Sequence, residues 1–185
     1  MSLDALPNLL TSLRVALVPV VFVVLLEDPD DWQVGAVVFA VAAVSDALDG
    51  RIARARGCVS TFGTLMDPLA DKLLVGAALV ALFAVGRAAA WVAVIIIARE
   101  VAVSALRARA KATGLVIGAS HLGKVKMVFQ VAMILSLTAL GTGPNWVQGL
   151  VYTTVGVTIA SGLDYYWGYR RGMLPAHAVR VVESA

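Results

Sequence analysis

Long runs of mainly apolar residues recur from Leu13 to Trp167, and only a few acids interrupt them. A run of about 20 such residues crosses a bilayer as a helix, because hydrocarbon forces every backbone amide to bond within its own segment. The runs fall at Leu13 to Leu26, Trp32 to Asp49, Leu65 to Val85, Ala88 to Leu106, Lys126 to Leu140 and Val147 to Trp167. They predict an all-α membrane protein of six transmembrane helices. A short N-terminal juxtamembrane helix is expected before them, with Pro7 and Asn8 as a break and Thr11 or Ser12 as caps. The composition agrees: 60% of the 185 residues are hydrophobic and the mean hydropathy is +0.87, beyond the range of soluble domains. Residues 1–171 leave room for a single membrane domain and 172–185 for a short tail.

Four aspartates stand out against this background: Asp46, Asp49, Asp67 and Asp71. A carboxylate at membrane depth is costly and defaults to a functional role. Asp46 and Asp49 are three apart and Asp67 and Asp71 four apart, so each pair shares one helical face. Two converging pairs form an oxygen cage suited to hard divalent cations, Mg2+ or Mn2+, and two neighbouring metals suit the clamping of phosphate oxygens. With no His or Cys cluster beside them, zinc is disfavoured.

The connectors are charged asymmetrically. Glu27, Asp28, Asp30 and Asp31 fill the first, while Arg51, Arg54, Arg56, Arg107, Arg109, Lys111, Lys124, Arg170 and Arg171 occupy the second, fourth and C-terminal ones. The positive-inside rule therefore assigns both termini and all four aspartates to the cytoplasmic side, with Arg87 the one basic residue clearly outside. Trp32, Trp91, Trp146 and Trp167 fall near run ends, as an aromatic belt requires. The lone Cys58 excludes an internal disulfide, and the N-terminus lacks the basic start of a cleaved signal. His121 reads as a surface or packing residue. Asp164 in the last run is left open between a role behind a metal, an ion pair and an interface.

Written out, the acidic region is D-x2-D-G-x2-A-R-x8-G-x3-D-x3-D, from Asp46 through Gly50, Ala53, Arg54 and Gly63 to Asp71. Gly50, Ala53 and Gly63 let a nucleotide or helix approach the backbone, and Arg54 offers two donors to a phosphate. The pattern resembles the signature of the CDP-alcohol phosphotransferase family at every specified position. That resemblance implies transfer of a phosphatidyl-type group from a CDP-linked donor to an alcohol, with release of CMP. It implies two divalent metals on Asp46, Asp49, Asp67 and Asp71, with Asp71 also the general base, and a donor site containing Gly50, Ala53, Arg54 and Gly63. Asn8, Thr11 and Arg14 would line its nucleotide end, although capping explains the first two equally well. The resemblance also suggests a homodimer and a polar cavity open to the cytoplasm and sideways to lipid.

The segments Leu6 to Arg14, Ile97 to Arg107 and Gly123 to Lys126 look like those of the bacterial phosphatidylglycerophosphate synthase branch, with Met127 where a small hydroxyl residue is expected. Charge points the same way, since Arg99 and Glu100 lie inside an apolar run and need partners or water. Arg99, Arg107, Lys124 and Lys126 would form an acceptor-phosphate pocket, for which a plain alcohol has no need. The competing reading pairs Arg99 with a bundle acid and leaves Lys124 and Lys126 as positive-inside charges. The expected substrates are CDP-diacylglycerol and sn-glycerol 3-phosphate at a bacterial cell membrane, with no nucleic-acid partner. Inositol phosphate or phosphatidylglycerol are the rival acceptors. A cation channel or transporter is the rival class, but it has no use for Gly50, Ala53, Arg54 and Gly63 at these offsets.

Overall fold

The computed structural model describes residues 5–27, 32–56, 61–112 and 121–170, with side chains described for 16–27, 33–45, 72–110 and 121–170. These residues form six helices: α1 (Ala5–Glu27), α2 (Trp32–Arg56), α3 (Thr61–Ala84), α4 (Ala90–Ala112), α5 (His121–Leu140) and α6 (Asn145–Arg170). There is no strand among them. Each apolar run became a helix, and several helices run one or more turns past it. The expected separate N-terminal helix is not observed, because Ala5 to Glu27 is one continuous element. Pro7 lies in its first turn, where the backbone amides have no helical acceptor and a missing N–H costs nothing.

The helices group into two compact units, 1–89 with 134–147, and 90–133 with 148–185. In the first unit α1 packs against α3 and α2. The buried residues repeat at helical spacing: Val21 and Leu25 on α1, Gly35, Phe39 and Ala42 on α2, and Leu74, Ala78 and Leu82 on α3. Gly35 is where α2 comes closest, since a Cβ there would lie 2.9 Å from Leu25 Cδ2 and 3.4 Å from Thr138 Cγ2. Gly35→Leu is therefore expected to destabilise the protein by about 1–3 kcal/mol through overpacking, read as a lower Tm in detergent. Gly35→Ala should be mild, because the end of the Leu25 side chain can give way.

Two glycines close helices in this unit. Gly86 has φ 74°, and the Gly86 N–H to Phe83 carbonyl (3.0 Å) and Arg87 N–H to Leu82 carbonyl (2.8 Å) bonds make a Schellman ending to α3. Gly141, with φ 63°, ends α5 by donating its N–H to the Leu137 carbonyl at 3.0 Å. The Arg87 guanidinium donates to the Thr138 carbonyl, one of the last-turn acceptors that α5 itself leaves open. The residue that departs from the connectors' charge asymmetry thus caps a helix.

In the second unit the inward face of α6 runs Val151, Thr154, Thr158, Ser161 and Tyr165, and that of α4 runs Val92, Ile96 and Val103. Outward faces are apolar instead. Val101 is 63% exposed and Val128 68%. Such surfaces are a liability in water and ordinary against lipid. Trp91, exposed, stacks on Tyr152 with ring centroids 5.9 Å apart.

Candidate functional site

All four motif aspartates sit in helical backbone, Asp46 and Asp49 within α2 and Asp67 and Asp71 within α3. The helical state required for each pair to share a face is therefore present. The side chains of Asp46, Asp49, Gly50, Ala53, Arg54, Gly63, Asp67 and Asp71 lie outside the described residues, as do those of Asn8, Thr11 and Arg14. As a donor set, four carboxylates in two helical registers match Mg2+ or Mn2+, which take oxygen ligands. Among the described residues no other group of three or more His, Cys, Asp or Glu could hold a metal.

The second half of the predicted site is described in detail. Glu100 accepts from Arg99 Nη1 at 3.3 Å on its Oε1, and the Lys126 ammonium pairs with the same oxygen. Lys126 is only 6% exposed, deep for an ammonium group. Arg99 also donates from Nη2 to Ser161 Oγ at 2.9 Å, and that hydroxyl in turn donates to the Thr158 carbonyl at 3.0 Å. Arg107 donates from Nη2 to the Tyr165 hydroxyl at 2.5 Å. Both guanidinium groups lie against the Tyr165 ring, 5.7 Å (Arg99) and 4.9 Å (Arg107) from its centroid, a cation–π arrangement. One aromatic ring thus gathers two arginines.

Of the predicted cationic pocket, the structure brings together Arg99, Arg107 and Lys126. Lys124 is exposed, two residues before Lys126 on α5. Side chains two residues apart on a helix point to different sides, which accounts for the difference in burial. Arg99 does pair with an acid, as the competing reading has it, and that acid is Glu100, which Lys126 also meets.

Sequence reasoning missed Ser161, Gly162 and Tyr165. A Cβ on Gly162 would stand 3.2 Å from Arg99 Cγ, so the glycine leaves room for the arginine stem against α6. The available signal was the spacing of Ser161 and Tyr165, four apart on one face of an apolar helix, beside a glycine. Asp164 and His121 are both exposed, which fits a surface residue for His121 and removes Asp164 from the buried network.

The arrangement has unspent capacity. Arg99 Nε and Arg107 Nε are buried without a hydrogen-bond partner. Buried donors of this kind are rare and costly. The terminal nitrogens are anchored on α6 while Nε is left unpartnered, so the hydrogen-bonding of the cluster is incomplete as it stands.

The family model for CDP-alcohol phosphatidyltransferase matches residues 4–160. The chain is 36% identical over 180 residues to a Bacillus subtilis (strain 168) protein named CDP-diacylglycerol–glycerol-3-phosphate 3-phosphatidyltransferase, covering 87% of this chain and 93% of the relative. It is 37% identical over 166 residues to a probable phosphatidylglycerophosphate synthase of Mycobacterium tuberculosis (strain ATCC 25618 / H37Rv), covering 86% of this chain and 79% of the relative. Among solved structures it resembles Mycobacterium tuberculosis phosphatidylinositol phosphate synthase (PgsA1) with CDP-DAG bound. The TM-score is 0.65 at 19% identity, over 100% of this chain and 92% of that one. At that identity the likeness concerns the fold, and the fold and the sequence matches agree. The chain belongs to the CDP-alcohol phosphatidyltransferase family and is an enzyme of the transferase class.

Proposed function

We propose that this enzyme makes phosphatidylglycerophosphate and CMP from CDP-diacylglycerol and sn-glycerol 3-phosphate. The observation that carries the choice of acceptor is the gathering of half-buried Arg99 and Arg107 with buried Lys126, each arginine with its Nε unpartnered. A phosphomonoester acceptor brings oxyanions to such a set, and a plain alcohol does not. The names of the relatives support the same acceptor. Inositol phosphate also carries a phosphomonoester and is the nearest alternative, whereas phosphatidylglycerol lacks one.

In this reading Asp46, Asp49, Asp67 and Asp71 would hold two Mg2+ or Mn2+ ions. When bound, the ions supply charge neutralisation for the pyrophosphate and the departing CMP. Gly50, Ala53 and Gly63 admit the donor close to the backbone, and Arg54 donates to its phosphates. Asp71 takes the proton of the acceptor hydroxyl as its oxygen forms a bond to the phosphatidyl phosphorus and the bond to CMP breaks. Arg99, Arg107 and Lys126 hold the acceptor's own phosphate.

The chain is further read as a single membrane domain over residues 1–171, with six spans, both termini and the aspartates on the cytoplasmic side and 172–185 as a tail. Among the described residues α5 alone is long and apolar enough to pass a strict spanning criterion, and shorter apolar helices cover 16–27, 33–45 and 72–84. Exposed apolar faces and charged connectors support the remaining spans. A homodimer, with lateral entry for the two acyl chains of the donor, completes the reading.

CMP release by the purified protein in detergent tests it. Release should require Mg2+ or Mn2+ and glycerol 3-phosphate, and a chelator should abolish it. Release with inositol phosphate instead would transfer the mechanism to another acceptor, and release with phosphatidylglycerol would contradict the pocket.

A further inference from the structure

Within the cluster, Lys126 Nζ and Arg99 Nη1 converge on one atom, Glu100 Oε1. A phosphate oxygen would present the same target to a lysine and an arginine. Lys126 is buried, and an ammonium group so placed is strongly destabilising without an anion beside it. Glu100 supplies one. Arg99 and Arg107 each anchor a terminal nitrogen on α6, through Ser161 and Tyr165, and keep Nε uncommitted. Arg99 and Arg107 are thus held in position by α6 groups that a ligand need not displace, while Glu100 occupies the point where Arg99 and Lys126 meet.

We propose that Glu100 is an internal stand-in for the acceptor's phosphate. Its carboxylate neutralises Lys126 and Arg99 while the pocket is empty and yields them to phosphate oxygens when the acceptor binds. The inference rests on the acceptor-pocket reading above and adds a consequence for turnover. The acceptor's phosphomonoester is not consumed, so the product leaves carrying the same group that bound. A seat holding phosphate too tightly would retain product, and a carboxylate that reclaims both cations speeds its release. Glu100 is therefore a positioning residue whose competition trades affinity for turnover.

The test uses the full chain in detergent, with inorganic phosphate as the probe. Glu100→Gln keeps the shape and a hydrogen-bond acceptor but removes the competing charge. It should bind phosphate on the order of tenfold tighter, read both as inhibition of CMP release and as a larger phosphate-dependent rise in Tm than in the wild type. The KM for glycerol 3-phosphate should fall, and kcat should fall with it. Glu100→Gln combined with Lys126→Gln, a neutral pair of similar shape, should lose that gain. If Glu100→Gln binds phosphate no better than a wild type that does respond, Glu100 is a fixed structural partner and the inference fails. If neither protein responds to phosphate or glycerol 3-phosphate while both still bind the CDP donor, the acceptor pocket itself is wrong. Should Glu100→Gln not fold, Glu100→Asp draws the carboxylate back and must shift phosphate affinity in the same direction. An unchanged affinity there would overturn the proposal.

Discussion

Replacing Asp71 with Asn is expected to leave a folded protein whose turnover falls at least about 10²-fold, as for loss of a general base. The change is nearly isosteric and falls inside helix α3, so the backbone has no reason to respond. An amide cannot take the hydroxyl proton, and it also coordinates hard cations less well than a carboxylate. The two losses separate in one experiment, CMP release titrated with Mg2+ or Mn2+. If Asp71 serves mainly as a ligand, excess metal restores the rate. If it serves as the base, the defect persists at saturating metal. Near-normal turnover would remove Asp71 from the mechanism.

Lys126→Ala should raise the KM for glycerol 3-phosphate by about 10- to 100-fold, the worth of one charge-assisted hydrogen bond. The KM for CDP-diacylglycerol should change far less. Lys126 is buried, and its side chain ends on Glu100 beside Arg99, so truncation removes one of the cations offered to the acceptor while Arg99 keeps its anchor on Ser161. Steady-state kinetics with each substrate varied at saturation of the other separates the two constants. Equal rises in both would mean that the residue supports the bundle rather than the acceptor.

Helix number and type were legible from apolar runs, but helix ends were not. The run ending at Asp49 continues as α2 to Arg56, and α5 begins at His121, before the run that starts at Lys126. Hydropathy marks the thickness of hydrocarbon a segment crosses, whereas a helix ends where its backbone bonding ends, and polar turns extend beyond a bilayer without penalty. Pro7 misled because its effect depends on position: disruptive within a helix, neutral in a first turn.

The site divides the same way. The aspartate motif is local, so spacing alone exposed it, and the cost of charge in an apolar run exposed Arg99 and Glu100. Their α6 partners lie far along the chain, with Ser161 62 residues from Arg99 and Tyr165 58 residues from Arg107. No periodicity within a helix reports a contact of that range. Lys124 and Lys126 differ in burial because a two-residue step along a helix turns side chains to different sides.

The hydroxyl-bearing stripe of α6 bears on how this protein is made. Thr154 donates to the Leu150 carbonyl at 2.7 Å, Thr153 to Gly149 at 2.8 Å and Ser161 to Thr158 at 3.0 Å, so these side chains bond first to their own helix. A hydroxyl bonded this way carries little of the desolvation cost that a composition scale assigns to it. In the six-span reading proposed above, a nascent α6 enters the bilayer as a lone segment, ahead of its neighbours, although its residue content understates its fitness to do so. Assembly can then proceed in two stages, insertion first and the meeting of Ser161 and Tyr165 with the arginines second. The arginines of α4 gain their contacts with Ser161 and Tyr165 only in that second stage.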